Sequence, residues 1–195
     1  MGYLTAALVA LCVAAGFGAG YAIGYGRTAS AEPEVAPRTA PENPCALLRS
    51  DTRGRLVPVS LPVGSERRMI DDRHQQSRCE MRTNERKAST YNKAALLITV
   101  DRFGADAETS ATEAARTAMT KARETMSQDG EPLEGLGDAA TVDVRRAGRA
   151  RWETQVHVQY GDTVVTVVYT TWLADRSDTE SAAITVAREV LAAMR

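Results

Sequence analysis

The apolar positions of this chain change period several times, and each change marks an element. Between 151 and 160, Val156 and Val158 alternate with polar residues, and the same two-residue period returns after Gly161-Asp162 at Val165, Val167 and Tyr169. Successive side chains of a strand point to opposite faces, so the pattern predicts two strands with one buried face each. A two-residue Gly-Asp connection between β-branched runs marks a tight hairpin. Counting outward from it pairs Tyr160 with Thr163, Val158 with Val165 and Val156 with Val167. His157, Gln159, Thr166 and Trp172 then share the opposite face.

The same period predicts strands over 77–83, 94–103 and 140–145. The second sets Leu96, Ile98 and Val100 against Leu97, Thr99 and Asp101, and it pairs with the first as a hairpin. Between 106 and 127 the period lengthens to that of a helix. Ala111, Ala115, Ala118, Ala122 and Met126 fall on one face with Met119 beside them, and Ser110 and Glu113 stand at capping-box spacing. Ser177 and Glu180 repeat that spacing ahead of a stripe of Ala183, Ile184, Ala187, Val190, Leu191 and Met194. A short helix is expected after Pro44, ending near Gly54, with irregular chain around Pro58 and Pro62. The turn Gly135-Leu136-Gly137-Asp138 closes the first long helix, with Asp138 expected to make a local hydrogen bond. The sum is an α+β domain over 44–195: an antiparallel sheet of about five strands with helices packed on it.

Ahead of that domain the pattern is different. Residues 3–25 carry no charge over 23 positions, enough at about 1.5 Å per residue to cross a hydrocarbon core of about 30 Å. Residues 1–27 are therefore expected to form one transmembrane helix, a single-pass anchor in the cell membrane. Two alternatives stay open. Ala29-Ser30-Ala31 is an A-x-A site, so cleavage near Ala31 would release a secreted protein; a lipoprotein signal would use Cys12, which lacks the small residue normally before it. Gly16, Gly20 and Gly24 recur every fourth residue and leave one helix face nearly bare, a surface on which two such helices can pack and self-associate. Residues 28–43 have the Ala, Pro, Glu and Thr composition of a flexible, disordered linker.

Charge and chemistry narrow the functional class. The chain has 195 residues, with 24 Lys and Arg against 25 Asp and Glu, so it lacks the basic excess that follows a nucleic-acid backbone. The balance is uneven: 44–102 holds 12 basic and 7 acidic residues, 103–195 holds 10 and 15. Two histidines and three cysteines are too few for a zinc ribbon or an iron–sulfur cluster, and no metal or other cofactor is expected. Cys45 and Cys79, an even pair behind an export-type segment, are read as a disulfide in an oxidising compartment. The serine-elbow, P-loop and dinucleotide glycine patterns do not occur. His74 and His157 have no partner at ligand spacing and read as surface or edge residues. Asp71-Asp72 and the carboxylates Glu131 and Glu134 read as solvated loop charge. Arg145, Arg146, Arg149 and Arg151 surround a turn that could meet an anionic envelope polymer or lipid headgroup, although a solvated hairpin tip explains them as well.

The order NPCALL near the domain start, SRCEMR around the second cysteine, a helix, GLGDAA, a strand meander and a terminal AREVLAAM helix resembles the actinobacterial domain of unknown function 3558 family. The likeness spans nearly all of 44–195. It implies an extracytoplasmic domain with its two cysteines bridged, shaped like a sensor or binding module, and it implies no reaction. Met81 departs from the aromatic often found two residues after the second cysteine, and the uninterrupted span replaces the family's frequent lipid attachment. The resulting expectation is a membrane-anchored extracytoplasmic binding or sensor-like domain of the cell envelope, not an enzyme, with an unknown envelope ligand or protein as partner. The alternatives are an envelope hydrolase with an unrecognised site and a structural subunit of a membrane complex.

Overall fold

The Gly161-Asp162 turn, with Gly161 at φ +56°, joins strands β6 (Arg151–Tyr160) and β7 (Thr163–Trp172) in the register counted from the sequence. In this computed structural model the described residues are 35–84, 86, 93–126 and 130–195, without the side chains of 62 and 63. The proposed span and its Gly16, Gly20 and Gly24 lie outside them. Among the described residues no helix is long and apolar enough to cross a membrane.

Among the described residues the sheet has seven strands rather than about five, in the order β1-β2-β3-β7-β6-β5-β4, with every neighbouring pair antiparallel. The extra strands are β1 (Ser60–Asp71) and β4 (Glu131–Pro132). Irregular chain is found at Pro58, in the turn ahead of β1, but Pro62 lies within β1 on the sheet edge, the place where a proline's missing N–H costs no ladder bond. The remaining strands are β2 (His74–Thr83), β3 (Ala94–Phe103) and β5 (Ala139–Arg146). Two meanders, β1-β2-β3 and β4-β5-β6-β7, thus meet where β3 pairs with β7. Helix α2 (Ala111–Glu124) carries the chain from one meander to the far edge of the other.

One face of the central strands is covered. Leu96, Ile98, Val100, Val156, Val158, Val165 and Val167 are completely buried on it, packed with Ala183, Val186, Ala187, Val190 and Leu191 of helix α3 (Arg176–Met194). Each such valine or leucine contributes about 1.5–3 kcal/mol relative to exposure. A 3₁₀ turn (Pro44–Leu47) and helix α1 (Ser50–Leu56) close the same layer, so Gly54 lies inside a helix and not at its end. Cys45 of the turn is bonded to Cys79 of β2, with Cα atoms 5.9 Å apart. Helix α3 begins at Arg176 behind Asp175, not at a capping box of Ser177 and Glu180; the hydroxyl of Thr179 donates to Asp175 O at 2.9 Å.

The compact unit starts at Pro33. Within the segment assigned to the linker, Val35 and Ala105 exchange backbone hydrogen bonds, and Ala40 is buried with its N–H on Gln75 Oε1. Gly104 makes this passage possible, because a Cβ there would stand 2.3 Å from Val35 O.

Candidate functional site

Among the described residues the second sheet face is only half covered, for reasons of size. Seven strands about 4.8 Å apart give a surface of roughly 29 Å across, and ten-residue strands make it about 33 Å long. Helix α2, about 21 Å long and 10 Å wide, cannot roof it. Ser110 caps the helix by accepting from Glu113 N–H at 3.2 Å, and Ala115 and Met119 press on the sheet. Beneath lies a polar layer of Thr141, Asp143, His157 and Gln159, all buried. His157 is thus not a surface residue: its Nδ1 lies 2.9 Å from Thr166 Oγ1, and burial pushes its pKa below the ordinary imidazole value, against the raising influence of Asp101 and Asp143.

The uncovered half forms a groove of about 940 Å³, within the range of small-molecule sites. Strand pairing builds it row by row. Leu61, Arg82, Ala95 and Thr170 are aligned across β1, β2, β3 and β7, and the next row brings Glu80, Leu97 and Val168. At the strand ends Trp172 sits opposite Arg151, whose guanidinium lies 5.7 Å above its ring. Among the described residues five cations, Arg78, Arg82, Arg86, Lys93 and Arg151, line the groove with one carboxylate, Glu80. Glu80 is shared by Arg82 and, at 3.9 Å, Arg78. The Arg151 Nε–H is buried and meets no acceptor among the described residues. The sheet end that carries this cationic rim also carries two non-glycine residues at positive φ, Val59 (49°) and Leu173 (63°), each exposed. Such backbone costs of order 1–3 kcal/mol and tends to collect at functional sites.

A smaller hollow of about 470 Å³ lies at the opposite end of the face, between the β1–β2 turn and helix α2. His74 lines it, stacked on Phe103 at 4.6 Å, with Nε2 at 2.7 Å from Asp101 Oδ1; Gln76 donates to the same oxygen at 2.9 Å. The only hydroxyls among its described lining residues belong to Thr109 and Thr117. Among the described residues no cluster of three or more His, Cys, Asp or Glu could hold a metal ion.

The residues singled out from sequence are dispersed. The Cys45–Cys79 bond lies on the covered face, while Arg78 and Glu80 on either side of Cys79 point into the groove. Of the arginine quartet only Arg151 lines the groove; Arg145 is held by Glu153, and Arg146 donates to Arg149 O while lying over Trp152. Asp138 makes a long-range bond, not a local one, accepting from Gly161 N–H at 2.7 Å, so the GLGD turn braces the β6–β7 hairpin. Gly137, at φ +66°, is required there, since a Cβ would stand 2.3 Å from Gln159 O. Arg78, Arg82, Arg86 and Lys93 are not among the residues that the sequence singles out. Their signal is in SRCEMR, where Arg78, Glu80 and Arg82 alternate with buried Cys79 and Met81, and in β3 and β7, which carry Ala95, Leu97 and Val168 on the face opposite the core.

No family model matches the chain, and no curated protein matches it. Among solved structures it is similar to the extracellular domain of PknH from Mycobacterium tuberculosis, with a TM-score of 0.47 and 10% identity over 76% of this chain and 94% of that one.

Proposed function

We propose that this chain is an extracytoplasmic recognition module of the cell envelope that binds an anionic ligand in the open half of its sheet. The observation that carries this reading is the groove itself: among the described residues, five cations and one carboxylate around an apolar floor that helix α2 is too small to cover. The Cys45–Cys79 bond supports the oxidising side of the membrane, because such bonds persist there and are rare in cytosol. A single span over 1–27 would hold the module near the bilayer, with Gly16, Gly20 and Gly24 as a face for self-association; release after Ala31 would make it a secreted binder instead. Membership of the domain of unknown function 3558 family is part of the same proposal and rests on the residues quoted for it.

Amide-resolved NMR of the compact unit Pro33–Arg195, titrated with inorganic phosphate, tests this. Shifts are expected at 78–84, 93–97 and 168–172, and Arg82→Gln with Arg151→Gln should remove them. Unmoved groove amides sink the proposal. Shifts confined to 71–74 and 103–121 would favour the rival reading, an envelope hydrolase using the His74–Asp101 contact beside the smaller hollow.

A further inference from the structure

The groove is not uniformly cationic, and its polarity is ordered along the strands. At the sheet end where β2 finishes and β3 and β6 begin, Arg82, Arg86, Lys93 and Arg151 gather around Trp172. From the rim inward β3 and β7 carry Ala95 beside Thr170 and then Leu97 beside Val168, an apolar strip bordered on β2 by Arg82 and Glu80, with exposed Leu61 on the edge strand beyond. Helix α2 takes over on the same face as the strands continue inward, packing against β3, β6 and β7. A simple anion would use only the rim and leave the apolar floor in water. A neutral apolar ligand would use the floor and leave Arg151, which no carboxylate pairs among the described residues, without a counter-charge.

From this arrangement we infer that the groove takes an amphiphilic anion, with its phosphate or carboxylate head on the Arg82, Arg86, Lys93 and Arg151 rim and its hydrocarbon tail on Leu97 and Val168. Arg151 is the central head-binding residue. Its guanidinium is oriented by stacking on Trp172, and no carboxylate pairs with it among the described residues, whereas Arg78 and Arg82 already share Glu80. A planar guanidinium held in that way presents several N–H donors to phosphate or carboxylate oxygens. The tail lies across strands whose groove-facing side chains include Ala95, Leu97 and Val168, so each methylene it buries there adds to affinity.

This inference rests on the reading of the groove as the ligand site, and the experiment separates the two. The compact unit Pro33–Arg195, whose hydrophobic core is complete within itself, is titrated by calorimetry with inorganic phosphate and with hexyl, octyl, decyl and dodecyl phosphate below their micelle concentrations. Affinity is expected to rise up to about fourfold per added methylene until the floor is filled. Arg151→Gln should weaken every alkyl phosphate about tenfold while leaving the chain-length slope in place. Val168→Thr should flatten the slope and leave inorganic phosphate unchanged. A flat series alongside phosphate-induced shifts of groove amides overturns the inference and leaves the binding module standing; absence of both removes both. An equal slope with uncharged alkyl maltosides also overturns it. A lipid still seated in its bilayer is distinguished by sedimentation with phosphatidylcholine vesicles with and without phosphatidylglycerol: vesicle binding with a flat series in solution overturns the tail-in-groove arrangement and leaves headgroup contact alone.

Discussion

His157 shows how a polar residue on a strand acquires a property through its neighbours. It is almost fully buried on the face beneath α2, and removal from water disfavours its charged form more strongly than Asp101 and Asp143 favour it. The folded pKa therefore lies below the unfolded value of about 6.5, and the unfolded chain binds the extra proton as pH falls. Stability is complete above that value and declines below it. The thermal midpoint is expected to be lower at about pH 5.5 than at about pH 7.5, and His157→Gln should reduce this difference. Glu189 acts in another window. Burial raises its pKa, but Thr52 and Arg49 together hold it below the ordinary carboxylate range, so its contribution fades only under more acidic conditions. A decline that begins near neutral pH and persists in His157→Gln would contradict this account. The phenol of Tyr169, raised to about 12 by burial and donating to Leu56 O at 2.8 Å, stays un-ionised throughout.

Among the elements, β2 connects stability to recognition. Cys79 ties its buried face to the 3₁₀ turn, while Arg78, Glu80 and Arg82 line the groove on the other. Closing a loop with sequence separation 34 contributes about 3–4 kcal/mol in the chain-entropy account, which is large beside a typical domain stability of about 5–15 kcal/mol. Replacing both cysteines by alanine is expected to lower the free energy of unfolding in urea by about that amount. An unchanged urea midpoint would count against the bond's structural role. The elements differ in how openly the sequence announces them. The β6–β7 hairpin was legible to the residue, because a tight turn and a strict alternation fix register locally. Strand β1 was not, because prolines that argue against an interior strand are tolerated on an edge. The start of α3 was displaced because Ser177 and Glu180 have the right spacing but Asp175 occupies the cap position.

For the molecule as a whole, the folded unit reaches further toward the N-terminus than composition suggests. Residues 35–43 have linker chemistry, yet backbone bonds between Val35 and Ala105 and the burial of Ala40 bind this stretch to the end of the sheet. A protein beginning at Pro44 should be less stable than one beginning at Pro33 by about 2–4 kcal/mol, from the hydrogen bonds lost. Equal unfolding midpoints would show that the segment contributes nothing. The amino-acid sequence by itself determined the α+β class, the faces of β3, β6 and β7, a helix within 106–127 and the cysteine pair, because these depend on local period and on residue type. Tertiary structure alone decided which half of the second face stays open. That outcome depends on where the chain crosses after β3 and on a helix being shorter and narrower than the sheet it lies on. It also brought Arg82 and Arg151 to one rim, since residues far apart in the chain become neighbours only when β3 pairs with β7 and joins the two meanders.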